Sequence, residues 1–241
     1  MAEATIAHTP AHEPTTTGLS HRKLLMWAFL GSDCMFFGSL IGTYVVYQGK
    51  STGGLLPEDV FSIPTTSVST FVLLMSSMGM VLAYAALTRG NLKAFRIWIA
   101  STAILGMTFL SFQVFEFFEF VNHEVEFECS TPVADLTEFE MSFRDEECTA
   151  GVEEVKLEGH GLTPRTNLFG TTFFTLTGFH GAHVTLGVIW LLSLFFYSFR
   201  GGVTPARNLD VDLAALYWHF VDVVWIVIFT VVYLFGVFPG F

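Results

Sequence analysis

Four groups of residues combine side-chain type and spacing in ways that could carry chemistry. Asp33 stands alone in an apolar stretch. Gln113, Glu116 and Glu119 recur every three residues. His180 and His183 flank two small residues in Gly178-Phe179-His180-Gly181-Ala182-His183. His219 and Asp222 are three apart in Trp218-His219-Phe220-Val221-Asp222-Val223-Val224-Trp225. An isolated acid can hold a transferable proton. Imidazole is the commonest metal ligand and holds haem in many proteins. A histidine and a carboxylate one helical turn apart share a face and can pair.

The elements that must position these groups follow from composition. Of 241 residues only 14% are charged, 52% are hydrophobic and 27 are phenylalanine, and the mean hydropathy is +0.56. Soluble domains carry roughly 25% charged residues, so an ordinary soluble enzyme is excluded, and the apolar content excludes disorder. Five runs are long enough to cross a bilayer core of roughly 30 Å: 24–47, 65–88, 97–121, 168–199 and 213–238. No soluble core needs five long helices that are apolar all round. The expected fold is all-α, a polytopic membrane protein of five transmembrane helices. Residues 1–23 form a polar tail, and the first run reads as a span rather than a cleaved leader. The expected organisation is that tail, helices 1–3 over 24–121, a loop over 122–167 and helices 4–5 over 168–241.

The basic residues orient the bundle. With the N-terminus inside, the inner segments hold Arg22, Lys23, Arg89, Lys93, Arg96, Arg200 and Arg207. The outer segments hold Lys50, Arg144, Lys156 and Arg165, three of them in one long acidic loop. The N-terminus is therefore expected in the cytoplasm and the C-terminus outside. The net charge of -11 resides almost wholly in the loop 122–167, which holds 12 acids and 3 bases. A protein this acidic lacks the basic stripe that a nucleic-acid partner requires. Cys129 and Cys148 lie in the same loop, where an extracytoplasmic setting lets disulfides persist. A bridge would close about 20 residues and contribute about 3 kcal/mol; the alternative is two free thiols. Phosphate loops, zinc motifs and nucleophile elbows are absent from the sequence.

Inside a membrane the polar groups gain weight. Asp33 lies about 14 Å along a helix that starts at Leu24, where a charged acid costs roughly 2.5–3.5 kcal/mol on insertion scales. Two readings stand: a proton-linked acid, or an acid satisfied by interhelical hydrogen bonds. Glu116 shares a face with Gln113 at mid-helix, and Glu119 reaches solvent. His180 and His183 are expected to face the same way, and His219 and Asp222, one turn apart, could pair. The three histidines leave two uses open, a haem or metal site or interhelical bonding.

The motifs as a set resemble subunit III of the haem–copper respiratory oxidases, the cytochrome c and quinol oxidase group. The resemblance rests on Leu30-Gly31-Ser32-Asp33-Cys34-Met35-Phe36-Phe37-Gly38, on Leu73-Leu74-Met75-Ser76-Ser77, on Gln113 with Glu116, and on the two long histidine motifs. It spans Leu24 to Phe238 and leaves out the tail and the acidic loop. It implies that this chain carries no catalytic residue, haem or copper, which belong to subunits I and II. The chain would pack against subunit I, bind phospholipid in a helical cleft and support proton uptake in the inner plasma membrane. The histidines then become packing or lipid-contact residues, with Arg200 and Arg207 at headgroup level. The resemblance points to the five-helix bacterial form. Seven helices are commoner in the family, and a neighbouring subunit would supply the missing arm of the cleft. Asp33 departs from the family's usual glutamate, and Asp212 stands where glutamate is frequent. The acidic loop is a further departure, placed where a basic cytochrome c could dock or simply be a solvated decoration. The rival readings are an accessory subunit of nitric oxide reductase, a haem-binding electron carrier and a transporter; the last would show inverted repeats, which are not found.

Overall fold

The computed structural model describes residues 20–50, 57, 61–122, 125–128, 154–157, 161–165 and 167–237. Five helices long and apolar enough to cross a membrane make up the fold: α1 (His21–Tyr47), α2 (Ile63–Thr88), α3 (Leu92–Val121), α4 (Leu168–Phe199) and α5 (Leu209–Val237). The all-α class and the five spans are as expected. Several helices begin a few residues ahead of the apolar runs, because capping, not hydropathy, starts a helix. Ser20 accepts from the amide of Lys23 (3.4 Å), Asn91 from Ala94 (3.1 Å) and Asn167 from Gly170 (2.7 Å). Pro64 occupies the first turn of α2, where its missing N–H costs nothing. Gly90, at φ 77°, turns the chain between α2 and α3 within three residues, a conformation that would strain a side chain.

The acidic loop contributes an element not anticipated. β1 (Val125–Glu128) and β2 (Glu154–Leu157) pair antiparallel, with Val125 opposite Leu157 and Glu128 opposite Glu154. The chain then returns across the end of α3. Leu162 is buried there and donates its amide to the carbonyl of Phe120 at 2.8 Å. The backbone passes so close that a Cβ on Gly161 would stand 2.1 Å from the Val121 carbonyl oxygen. Cys129 and Cys148 lie outside the described residues.

The core is organised by α2 and α5. The buried face of α2 is rich in hydroxyls: Thr66, Ser69, Thr70, Ser76 and Ser77. Two tryptophans seven residues apart on α5 bond to it. Trp218 donates its indole N–H to Ser76 Oγ and Trp225 to Thr70 Oγ1, both at 3.0 Å. Without an apolar driving force in lipid, close packing and such interhelical bonds hold a bundle together. The Trp218 ring lies between two other helices. A Cβ on Gly106 of α3 would be 2.6 Å from it and one on Gly187 of α4 2.8 Å, so only glycine fits at either place. Trp218 thereby joins α2, α3, α4 and α5.

α1 is the peripheral helix. Its buried side chains are Leu30, Phe37 and Tyr44, seven apart, which makes a single narrow seam. The seam is supplemented by polar contacts along its length. At the N-terminal end Arg22 pairs with Asp210, and Lys23 with Asp212 at 2.8 Å. Both acids lie in the first turn of α5, where the helix dipole favours negative charge. At the other end Tyr44 Oη reaches the carbonyl of Val232 (3.4 Å) and Gln48 Nε2 that of Phe235 (3.2 Å). The Val232 carbonyl lies within a π-helical turn, Phe229–Leu234, and that of Phe235 just beyond it. The backbone of such a widened turn is open to side-chain donors.

Candidate functional site

The site centres on the contact of α1 with α4. His183 Nε2 stands 3.5 Å from Asp33 Oδ2, and both side chains are mostly withdrawn from the surface, at 17% and 13% exposure. The other ring nitrogen, Nδ1, lies 2.8 Å from the carbonyl oxygen of Phe179. A carbonyl can only accept, so Nδ1 carries a proton, and Nε2 is the nitrogen turned toward the acid. In a neutral ring that nitrogen is a lone pair, which a carboxylate would repel. One further proton, on either partner, converts the contact into an attraction. The contact is a close approach of an acid and an imidazole between two helices, and Asp33 Oδ2 has no hydrogen-bond partner among the described residues. A third helix braces it: Tyr217 of α5 donates its hydroxyl to the backbone carbonyl of His183 at 2.9 Å. Phe37 packs its ring against His183, with centroids 5.0 Å apart.

The expectation that His180 and His183 face the same way needs correcting. Three residues turn a helix by about 300°, and here that offset separates an interface from the interior. His183 faces α1. His180 is fully buried, stacked on Trp225 at 4.9 Å and met edge-on by Phe109 at 6.0 Å. His219 and Asp222 are near enough to interact electrostatically, but no hydrogen bond or ion pair joins them. His219 turns back along its own helix, with Nδ1 2.7 Å from the Ala215 carbonyl. Asp222 is buried beside Ser77 of α2.

Glu116 is buried with both oxygens engaged. Thr66 Oγ1 lies 2.5 Å from Oε1, and the Tyr233 hydroxyl 3.4 Å from Oε2, so the acid ties α3 to α2 and α5. Gln113, one turn earlier, donates from Nε2 to the Thr177 carbonyl of α4 at 2.8 Å. Glu119 is exposed, as its place near the helix end implied. Arg200 caps α4 with its side chain exposed, and Arg207 lies in the 3₁₀ turn Pro205–Arg207.

Sequence reasoning missed Arg96. Its guanidinium donates to Ser198 Oγ (3.1 Å) and to the Ser198 carbonyl (2.7 Å), and lies over the Phe199 ring at 4.4 Å. It adds a charged donor to a carbonyl at the end of α4 that also accepts from the Gly201 amide at 3.3 Å. Its only sequence signal was an arginine at the start of an apolar run. Among the described residues no three His, Cys, Asp or Glu side chains are arranged to hold a metal ion.

Comparison with known proteins decides the family. The family model "Cytochrome c oxidase subunit III" matches residues 154–237. The chain is 32% identical over 236 residues to cytochrome c oxidase subunit 3 of Bacillus sp. (strain PS3), covering 98% of this chain and 96% of that one. The chain belongs to the cytochrome c oxidase subunit III family. Quinol oxidase subunit 3 of Bacillus spizizenii is 33% identical over 87% of this chain and 85% of its own length. Cytochrome bo(3) ubiquinol oxidase subunit 3 of Pseudomonas putida is 32% identical over 88% and 84%. Subunit III here is a multi-pass membrane protein that associates with other oxidase subunits, and the Asp33–His183 contact lies in the motifs that carried the resemblance.

Proposed function

We propose that this chain is the non-catalytic subunit III of a proton-pumping terminal oxidase that reduces oxygen to water. It steadies subunit I, binds phospholipid and supports proton uptake, while haem and copper reside in subunits I and II. The observation that carries the proton-linked part is the Asp33–His183 pair, a partly withdrawn acid and imidazole 3.5 Å apart with the ring tautomer set by Phe179. An ionisable pair within a membrane helix contact is expensive, and a merely structural seam would be served as well by the apolar residues around it.

The same reading places the N-terminus in the cytoplasm and the complex in the inner plasma membrane. Its support is the basic end of the bundle. Arg89, Lys93 and Arg200 are exposed there, at the level of an anionic headgroup. Arg22 and Lys23 at that end are already paired with acids, so they are less available to lipid than Arg200.

The test is an oxidase assembled without this chain. It should keep its haem and copper absorbance and its initial oxygen uptake, then lose activity over successive turnovers. Loss of the haem bands with the chain would assign a redox group to it and overturn the reading.

A further inference from the structure

A pocket lies between the C-terminal end of α1 and the start of α4. Tyr44, Tyr47 and Gln48 line it from α1, Phe169 and Thr172 from α4, and Pro57 from the segment that follows α1. Several donors on this lining are spent on backbone. The Tyr44 hydroxyl donates to the Val232 carbonyl (3.4 Å), the Thr172 hydroxyl to that of Leu168 (3.0 Å) and Gln48 Nε2 to that of Phe235 (3.2 Å). What these side chains keep is acceptors: hydroxyl lone pairs on Tyr44 and Thr172, and the amide oxygen of Gln48. Beside them stand the aromatic rings of Tyr44, Tyr47 and Phe169, the first and last meeting edge to face at 6.4 Å. Acceptors and ring faces together suit a cation that can donate, not an anion. The chain's own Lys50 shows this attraction, with its ammonium 5.9 Å from the centre of the Tyr47 ring.

Size narrows the cation. The pocket holds about 30 Å³, and one water-sized group takes roughly 10–15 Å³ by the same measure. A primary ammonium on a methylene fits that space, whereas a trimethylammonium group does not. Position then narrows the carrier. The pocket stands where two spans end, at the level of lipid headgroups, and Tyr47 at its edge is 43% exposed. Val45 and Val46, 49% and 58% exposed, continue the surface of α1 from there into the apolar span. A ligand seated here has its charged head at the helix ends and room for chains along α1, as a phospholipid requires.

We infer that this pocket binds the ammonium group of a phosphatidylethanolamine headgroup, and that the exposed Lys50 holds its phosphate. The site is at the opposite end of α4 from Arg200. It gives a chemical identity to the phospholipid binding proposed for this chain, and rests on that proposal.

The test uses the purified membrane complex and a phosphatidylethanolamine with a photoactivatable group at the top of one acyl chain. Irradiation should label peptides that carry residues 43–50 or 168–175. Unlabelled phosphatidylethanolamine should compete roughly fivefold better than phosphatidylcholine or phosphatidylglycerol with the same chains, the scale of one ammonium–aromatic contact. Tyr47→Leu should remove most of that preference, and soluble phosphoethanolamine should not compete. Equal competition by the three lipids, or labelling only elsewhere, overturns the inference while leaving phospholipid binding in place. Competition by soluble phosphoethanolamine as strong as by the lipid overturns the lipid as occupant. A complex that retains no phospholipid overturns the lipid part of the proposed function as well. The preference is read on the unmodified complex, so a Tyr47→Leu variant that fails to assemble leaves the test standing.

Discussion

Replacing Asp33 by asparagine separates the proton-holding role of its pair from its packing role. Two unit charges 3.5 Å apart attract by about 5 kcal/mol at an effective dielectric of about 20. Most of that is offset by withdrawing both groups from water. Polar pairs measured between membrane helices average about 0.6 kcal/mol and reach about 1.7, so a net coupling of about 1–2 kcal/mol is expected. The asparagine amide can donate to the Nε2 lone pair that His183 presents, because Nδ1–H stays on the Phe179 carbonyl. Asp33→Asn should therefore assemble normally and change thermal stability little, while the exchangeable proton is lost. Oxygen uptake followed through repeated additions of reductant should start near the normal rate and decay sooner. Asp33→Glu, which restores the acid, should hold its rate. A double-mutant cycle with His183→Gln should return the 1–2 kcal/mol coupling. If Asp33→Asn keeps both the rate and the lifetime of the unmodified complex, the pair is structural only and the reasoning fails.

Other changes test the frame. Trp218→Ala removes a ring wedged among four helices and should destabilise the chain by about 3–5 kcal/mol, whereas Ser76→Ala should cost about 1–3 kcal/mol by stranding the indole N–H; denaturation in detergent reads both. Lys23→Glu should destabilise the α1–α5 contact by about 1 kcal/mol or less, and adding Asp212→Lys should restore the melting temperature. Deleting residues 124–158 should leave the five helices intact, because the pairing of Val125 with Leu157 holds the two ends of the removed segment side by side. If the loop recruits a basic electron donor, that deletion should weaken donor binding most at low salt, and an unchanged salt dependence would leave the loop a solvated decoration.

What was legible in the sequence was whatever hydropathy writes locally. Five long apolar runs fix five helices, since in a bilayer the backbone has no alternative. The residues of interest were legible for the same reason, as polar groups in apolar surroundings. Their partners were not. Asp33 meets His183 across 150 positions, and Arg22 and Lys23 meet Asp210 and Asp212 across nearly the whole chain. Such pairings depend on which helices adjoin, and hydropathy says nothing of adjacency. His219 and Asp222 are not hydrogen-bonded for a related reason. A helical histidine can bond the carbonyl one turn back, and His219 does so. The β-hairpin did leave a trace. Val125-Glu126-Phe127-Glu128 and Val155-Lys156-Leu157 alternate apolar and charged residues with the period of a strand, a signal hidden by the acidity of the surrounding loop.

The most direct test of the central claim is purification of the chain from native membranes in mild detergent, with mass-spectrometric identification of what comes with it and a visible spectrum of the product. The account predicts a complex containing the haem–copper catalytic subunit, with oxygen-reducing activity and with all haem absorbance in the partner chains. A chain that purifies alone, or that carries a Soret band of its own, would contradict it.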